Sequence, residues 1–137
     1  MKNRKSFTLM ELMIVAVLVA VLAVMALTAY KKTVNQAYVD EAIRQLTLIH
    51  GAEQVYKAKN GTYWPPSDIP VFYLPGINQN LGLNLTDSPF TFACTGDAGG
   101  TSWICMAQYR QPPNEIVVVV NQNPIDSNNP HCAINCP

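Results

Sequence analysis

An uninterrupted hydrophobic stretch dominates the start of the chain. No charged residue occurs from Leu12 to Tyr30, and residues 7–11 extend this stretch with one carboxylate, Glu11. At about 1.5 Å per residue, a helix over residues 7–30 is ~36 Å long, enough to cross a hydrocarbon core of about 30 Å. Three basic residues precede it: Lys2, Arg4 and Lys5. The pattern predicts a membrane-spanning helix whose basic N-terminus stays in the cytoplasm.

Two simpler interpretations of this stretch are a cleaved secretory signal and a plain membrane anchor. A secretory signal has an apolar middle of about 7 to 15 residues, which is shorter, and the small-residue motif near Ala26 and Ala29 is weak. A plain anchor has no use for Glu11, because a carboxylate in the bilayer costs about 2.5 to 3.5 kcal/mol. Glu11 is therefore a candidate functional residue.

Residues 31–59 continue with a helical pattern. Apolar residues recur at steps of three and four: Val34, Tyr38, Ile43, Leu46, Ile49, Ala52 and Tyr56. Polar residues interleave with them: Lys32, Gln36, Asp40, Arg44 and Glu53. We therefore expect one face to pack on a globular head, with Tyr38 and Tyr56 in that packing, and the other face to meet solvent. Asn60-Gly61 is expected to end the helix.

The rest of the chain reads as turns and strands. Residues 60–89 are rich in proline and glycine and are expected to form a loop between helix and sheet. Residues 90–95 and 102–109 alternate with period two around a glycine-rich turn, and residues 115–121 are nearly all β-branched. These segments predict an antiparallel sheet of three or four strands, and so an α+β fold.

Residues 6–15, SFTLMELMIV, resemble the class III signal of type IV pilins and pseudopilins. The resemblance implies a long N-terminal helix packed on a small antiparallel sheet. It also implies that prepilin peptidase removes residues 1–6 by cutting between Ser6 and Phe7, and that the new N-terminus, Phe7, is methylated. Ser6 departs from the glycine usual before the cut. Ala20 and Thr28 stand where relatives commonly have glycine and proline, so we expect an unbroken helix through residues 12–30.

The resemblance also implies assembly into a homopolymer, with an inner-membrane platform protein and an assembly ATPase as further partners. Cleavage would create an amine on Phe7 that can meet Glu11 of a neighbouring subunit. Because each charge alone is costly to bury, this pair would set the register between subunits.

Four cysteines lie in the last third: Cys94, Cys105, Cys132 and Cys136. Cys94 and Cys105 flank the predicted hairpin turn and can face each other as a non-hydrogen-bonded pair. We favour Cys94 with Cys105 and Cys132 with Cys136, although the sequence leaves three pairings open. The resemblance adds that pilins commonly carry a C-terminal disulfide.

The sequence gives little reason to expect a metal, a cofactor or catalysis. The cysteines with His131 have no zinc-ligand spacing, and an exported chain favours disulfides. Asp126, Asn128 and Asn129 fit a solvated turn better than a calcium loop. His50 and His131 have no identifiable nucleophile partner, so no enzyme activity is predicted.

The charge balance bears on function. The 137 residues carry nine basic and nine acidic groups, but removal of residues 1–6 leaves a net charge of minus three. No basic patch then favours nucleic acid. The sequence predicts a structural subunit of a type IV pilus, a membrane precursor that becomes an extracellular filament. Alternatives are a pseudopilin of type II secretion, a competence pilus subunit and an ordinary anchored domain.

Overall fold

The computed structural model describes residues 8–87, 89–111, 114–125, 128–134 and 136. Within them the regular elements are α1 (Leu9–Asn60), α2 (Leu74–Leu81), β1 (Thr91–Gly96), β2 (Trp103–Gln111), β3 (Asn114–Asn121) and β4 (His131–Ile134). A long helix together with an antiparallel sheet confirms the predicted α+β fold.

Helix α1 runs through both of the units into which the chain divides, residues 1–35 and 36–137. It is continuous at Ala20 and Thr28, as expected. Both residues keep the backbone N–H that an α-helix needs, whereas a proline would remove it. Asn60 is the last helical residue, and Gly61 follows with a positive φ of 81°. The predicted end of the helix is therefore confirmed.

The sheet of the second unit has the strand order β1-β2-β3-β4, with every neighbouring pair antiparallel. The first three strands match the predicted segments to within two residues, which is the usual uncertainty of strand ends. Val118 lies opposite both Ala107 of β2 and Cys132 of β4. The β3–β4 ladder changes register between Val117 and Val118. Strands that follow one another in the sequence are thus adjacent in the sheet.

The core of this unit lies between one face of α1 and one face of the sheet. Alternate residues of β3, at positions 116, 118 and 120, are fully buried, as period two requires. The rings of Tyr38 and Tyr109 approach to 4.6 Å between centroids, and Tyr56 also packs against the core. The predicted packing role of Tyr38 and Tyr56 is confirmed.

The prediction that Glu53 belongs to the solvent face of α1 is wrong. Its exposed fraction is 0%, equal to that of Ala42, Leu46 and Ile49. These four residues follow one another at steps of four, three and four, so they share one stripe of the helix. The spacing placed Glu53 on the core face although its carboxyl is polar.

Helix α2 lies inside the stretch expected to be loop. Its buried residues, Leu74, Ile77 and Leu81, are spaced by three and four. Pro75 occupies the first turn, where its missing N–H costs nothing, and Gly82 ends the helix with a φ of 66°. Eight residues are too few for periodicity to stand out among prolines and glycines.

The segment 63–71, which we call the edge segment, covers the outer edge of β1. The Val71 N–H donates to Cys94 O at 2.7 Å, and the Cys94 N–H donates to Val71 O at 3.0 Å. The Gly96 N–H donates to Ser67 O at 3.0 Å. A Cβ on Gly96 would lie 2.1 Å from Pro65 O, so only glycine allows this approach. The edge segment thus satisfies backbone groups that an edge strand leaves open.

Candidate functional site: the N-terminal segment of α1

The start of α1 is organised by Thr8 and Glu11. The Thr8 N–H and hydroxyl donate to Glu11 Oε2 at 2.9 and 3.0 Å. The Glu11 N–H donates back to Thr8 Oγ1 at 3.2 Å. These reciprocal bonds form a capping box, in which two backbone N–H groups at the helix start find acceptors. The Thr-x-x-Glu spacing is visible in the sequence, although the prediction made from it concerned only the charge of Glu11.

The capping box fixes where the carboxylate lies. Glu11 sits in the first turn of α1, where the partial positive charge of the helix N-terminus favours an anion. Phe7, the residue before Thr8, lies outside the described residues, as do Ser6 and the rest of the basic leader. The expectations for cleavage and methylation therefore fall on a part of the chain that the structure does not describe.

Beyond Glu11, α1 presents a wide apolar surface. The large hydrophobic side chains from Leu9 to Leu27 are each 50% to 85% exposed. Among the described residues, α1 is the one helix long and apolar enough to cross a membrane. A soluble monomer rarely exposes so large an apolar area, because its hydration is unfavourable. This segment therefore requires lipid or other apolar helices around it.

The same N-terminal segment is similar to known proteins. Residues 1–27 match the family described as the prokaryotic N-terminal methylation motif. Two relatives from Neisseria gonorrhoeae, both named Type IV major pilin protein PilE1, are 36% identical to this chain over 90 residues. In its N-terminal part the chain is therefore similar to type IV pilins.

The similarity to these two pilins is partial. The alignments cover 58% of this chain and 54% and 50% of the relatives, so the chain spans about half the length of the curated relatives it matches. No solved structure matches the chain. The similarity to type IV pilins therefore rests on the N-terminal motif and on these two sequences.

The second unit, residues 36–137, which we call the head, contains a disulfide between Cys94 of β1 and Cys105 of β2. The two residues lie directly opposite each other, with their Cα atoms 4.1 Å apart. Because the Cys94 backbone bonds to Val71 rather than to β2, this is the non-hydrogen-bonded pair that the sequence suggested. The structure also joins Cys132 to Cys136.

The other candidate residues of the head are not brought together. Among the described residues, no three His, Cys, Asp or Glu side chains are grouped as metal ligands would be. His131 is an exposed residue of β4, whereas the Nε2 of His50 lies 2.8 Å from Asn123 O. Asp126 lies outside the described residues.

The prediction that Asn129 belongs to a solvated turn is wrong, because Asn129 is a buried structural residue. Its side chain is 4% exposed. Its Oδ1 accepts the Asn121 N–H at 3.0 Å, and its Nδ2 donates to Asn123 O at 2.6 Å. The amide therefore fastens the turn after β3 to the strand itself, a role that sequence spacing alone does not signal.

Proposed function

We propose that the chain is a structural subunit of a type IV pilus. It is made as a membrane-anchored precursor, cleaved between Ser6 and Phe7, methylated on Phe7 and polymerised through α1 into an extracellular filament. Prepilin peptidase, the platform protein and the assembly ATPase are the partners this pathway requires. The observation that carries the proposal is the exposed apolar surface of α1 from Leu9 to Leu27, which begins at one capped carboxylate.

The physical argument concerns where this surface can be buried. In a bilayer, lipid tails surround the apolar side chains, and in a filament the same side chains contact neighbouring α1 helices. Both environments keep the segment out of water, so transfer from membrane to filament never exposes it. The helix is continuous through Ala20 and Thr28, so its apolar side chains keep a regular helical spacing where they contact the neighbouring α1 helices.

Glu11 has a second role in this proposal. The amine created on Phe7 of one subunit pairs with the Glu11 carboxylate of its neighbour. Because an unpaired charge in an apolar bundle is costly, subunits that are out of register are disfavoured more strongly than the pair itself is favoured. The carboxylate is therefore a register mark between subunits.

Mass spectrometry of sheared surface filaments tests the processing steps. The expected peptide begins at Phe7 and carries one methyl group. A chain that retains Met1, or one that begins near Tyr30, would refute the pilin pathway.

A pair of isosteric variants tests the register role. Glu11→Gln removes the charge but keeps the capping box, since glutamine also serves at that position. Glu41→Gln removes a carboxylate that is 38% exposed and bonds to Arg44 on the same helix. We expect Glu11→Gln subunits to reach the membrane but to be absent from filaments, and Glu41→Gln subunits to assemble normally. Equal assembly of the two variants would contradict the register role.

A pseudopilin of type II secretion and a competence pilus subunit are the alternatives. The curated relatives are named major pilins, which supports a pilus. Cells that lack the chain distinguish the three, when their surface filaments are examined by electron microscopy and their protein secretion and DNA uptake are measured. We expect loss of surface filaments, whereas loss of protein secretion or of DNA uptake with filaments intact would favour one of the alternatives.

A further inference from the structure

Glu53 is a buried carboxyl at the place where the edge segment meets α1. Its side chain is fully buried. The Trp64 N–H donates to Glu53 Oε2 at 2.9 Å, which attaches the edge segment to the helix. Oε1 is buried and has no hydrogen-bond partner among the described residues. A buried polar atom of this kind is uncommon and calls for an explanation.

Among the residues that the structure describes, no basic side chain forms an ion pair with Glu53. On α1, the neighbouring ionisable groups are His50, whose Nε2 lies 2.8 Å from Asn123 O, and Lys57, whose Nζ lies 4.2 Å from the Tyr63 ring centroid. A phenol cannot carry a positive charge, so the remaining α1 neighbour, Tyr56, cannot neutralise Glu53 either.

The edge segment and the sheet also bring no positive charge to this carboxyl. The edge segment contributes Tyr63, and β2 contributes Trp103, whose ring centroid lies 6.1 Å from that of Tyr63. Asp97, in the turn between β1 and β2, is bound by the N–H groups of Thr101 and Ser102. A carboxylate at Glu53 would thus be buried with one backbone hydrogen bond and no counter-charge. Burial accordingly raises the pKa of Glu53 to about 7, although the Trp64 N–H works in the opposite direction.

The bond from Trp64 lies at the beginning of the edge segment. Next to it, the Tyr63 N–H donates to Gly100 O at 2.9 Å. Further along, Val71 pairs with Cys94 of β1, and Ser67 accepts the Gly96 N–H. Whatever loosens Trp64 from α1 therefore loosens the cover of the β1 edge.

We propose that Glu53 is a pH-sensitive latch, whose neutral carboxyl holds the edge segment against α1 and β1 and whose ionisation favours release of that segment. In the closed state the proton stays on the carboxyl, because the site offers little to stabilise a negative charge. In the open state water hydrates the carboxylate, and the proton is lost to solvent. The β1 edge is then uncovered more often as the pH rises through neutrality.

Hydrogen exchange of the full chain in detergent micelles, followed by mass spectrometry, tests the latch. The opening constant of the edge segment should rise about tenfold between about pH 6 and about pH 8.5, if the open carboxyl titrates at its ordinary pKa. Protection factors are compared, because they correct for the intrinsic pH dependence of exchange. Peptides from the edge segment and β1 should lose protection, while peptides from the β2–β3 ladder serve as the internal reference.

Two variants complete the experiment. In Glu53→Gln the protection of the edge segment should become independent of pH over this range. Glu41→Gln, which alters an accessible carboxyl of the same helix, should keep the wild-type pH dependence. Equal protection factors in the edge segment and the β2–β3 ladder at each pH would overturn the proposal, because the edge segment would then open only when the whole head unfolds. A pH-independent edge segment in the wild type would overturn it too, even if Glu53→Gln failed to fold.

Discussion

The disulfide between Cys94 and Cys105 is expected to contribute more stability than the one between Cys132 and Cys136. The test is the double variant Cys94→Ala/Cys105→Ala, compared with Cys132→Ala/Cys136→Ala. The first bridge joins residues 11 apart in the sequence, and the second joins residues 4 apart. Closing these loops removes unfolded-state entropy worth about 3 and about 2 kcal/mol, respectively.

Burial strengthens the contrast between the two bridges. Cys94 and Cys105 are fully buried, so alanine also leaves unfilled space between α1 and the sheet. Cys132 belongs to β4, whose residues are largely exposed. We therefore expect the first double variant to lose at least about 3 kcal/mol of unfolding free energy, which lowers Tm by roughly 10 to 20 °C for a head of this size.

Urea titration of the full chain in micelles measures these losses. Both tryptophans of the chain, Trp64 and Trp103, are buried in the head, so their fluorescence follows the head without interference from residues 9–35. The midpoint should fall and the slope should rise, because the unfolded chain without the crosslink is less compact and exposes more area. A loss below about 1 kcal/mol in Cys94→Ala/Cys105→Ala, or a larger loss in the other double variant, would refute the reasoning from loop length and burial.

Three further outcomes are expected. Folding raises the pKa of Glu53 from 4.5 to about 7, so the neutral carboxyl stabilises the head fully below pH 4.5, and up to about 3 kcal/mol of unfolding free energy is lost as the pH rises through 7. Urea titrations across this range should show the fall, and Glu53→Gln should abolish it. Asn129→Ala should cost about 2 kcal/mol by the same assay, since it leaves buried backbone groups without partners, and an unchanged midpoint would contradict that role. Leu48→Lys and Val55→Lys, at side chains 46% and 54% exposed, should change head stability by less than about 0.5 kcal/mol yet reduce filament yield in sheared preparations, whereas undiminished filaments would show that this face of α1 makes no subunit contact.

Long, strongly patterned elements were predictable from the sequence, and short or locally determined ones were not. Helix α1 and strands β1 to β3 follow from periodicity, and the Cys94–Cys105 pair follows from their hairpin. A sheet of three or four strands was predicted, but the position of β4 was not, because its four residues are mostly exposed and show no alternation. It exists because β3 offers a free edge, which is a property of the fold and not of residues 131–134.

The candidate site likewise has features that a strong sequence pattern predicts and features that it does not. The apolar span and Glu11 were evident from the sequence, and so was the spacing of the capping box with Thr8. The burial of Glu53 was not, because a carboxyl on a helix is expected to face water. Only the approach of Trp64 and the exposed fraction of 0% show that the core closes over it.

The pairing of the edge segment with β1 matters where many heads lie close together. The sheet has two ends, and the edge segment occupies the β1 end with its own backbone, while β4 at the other end is a strand of four residues. In a filament, heads would stand at very high local concentration, a condition in which open strands of neighbouring chains tend to pair and form sheets between molecules. One end is blocked by the chain itself and the other is too short for an extended ladder. The head can therefore be packed densely while each sheet remains within its own subunit.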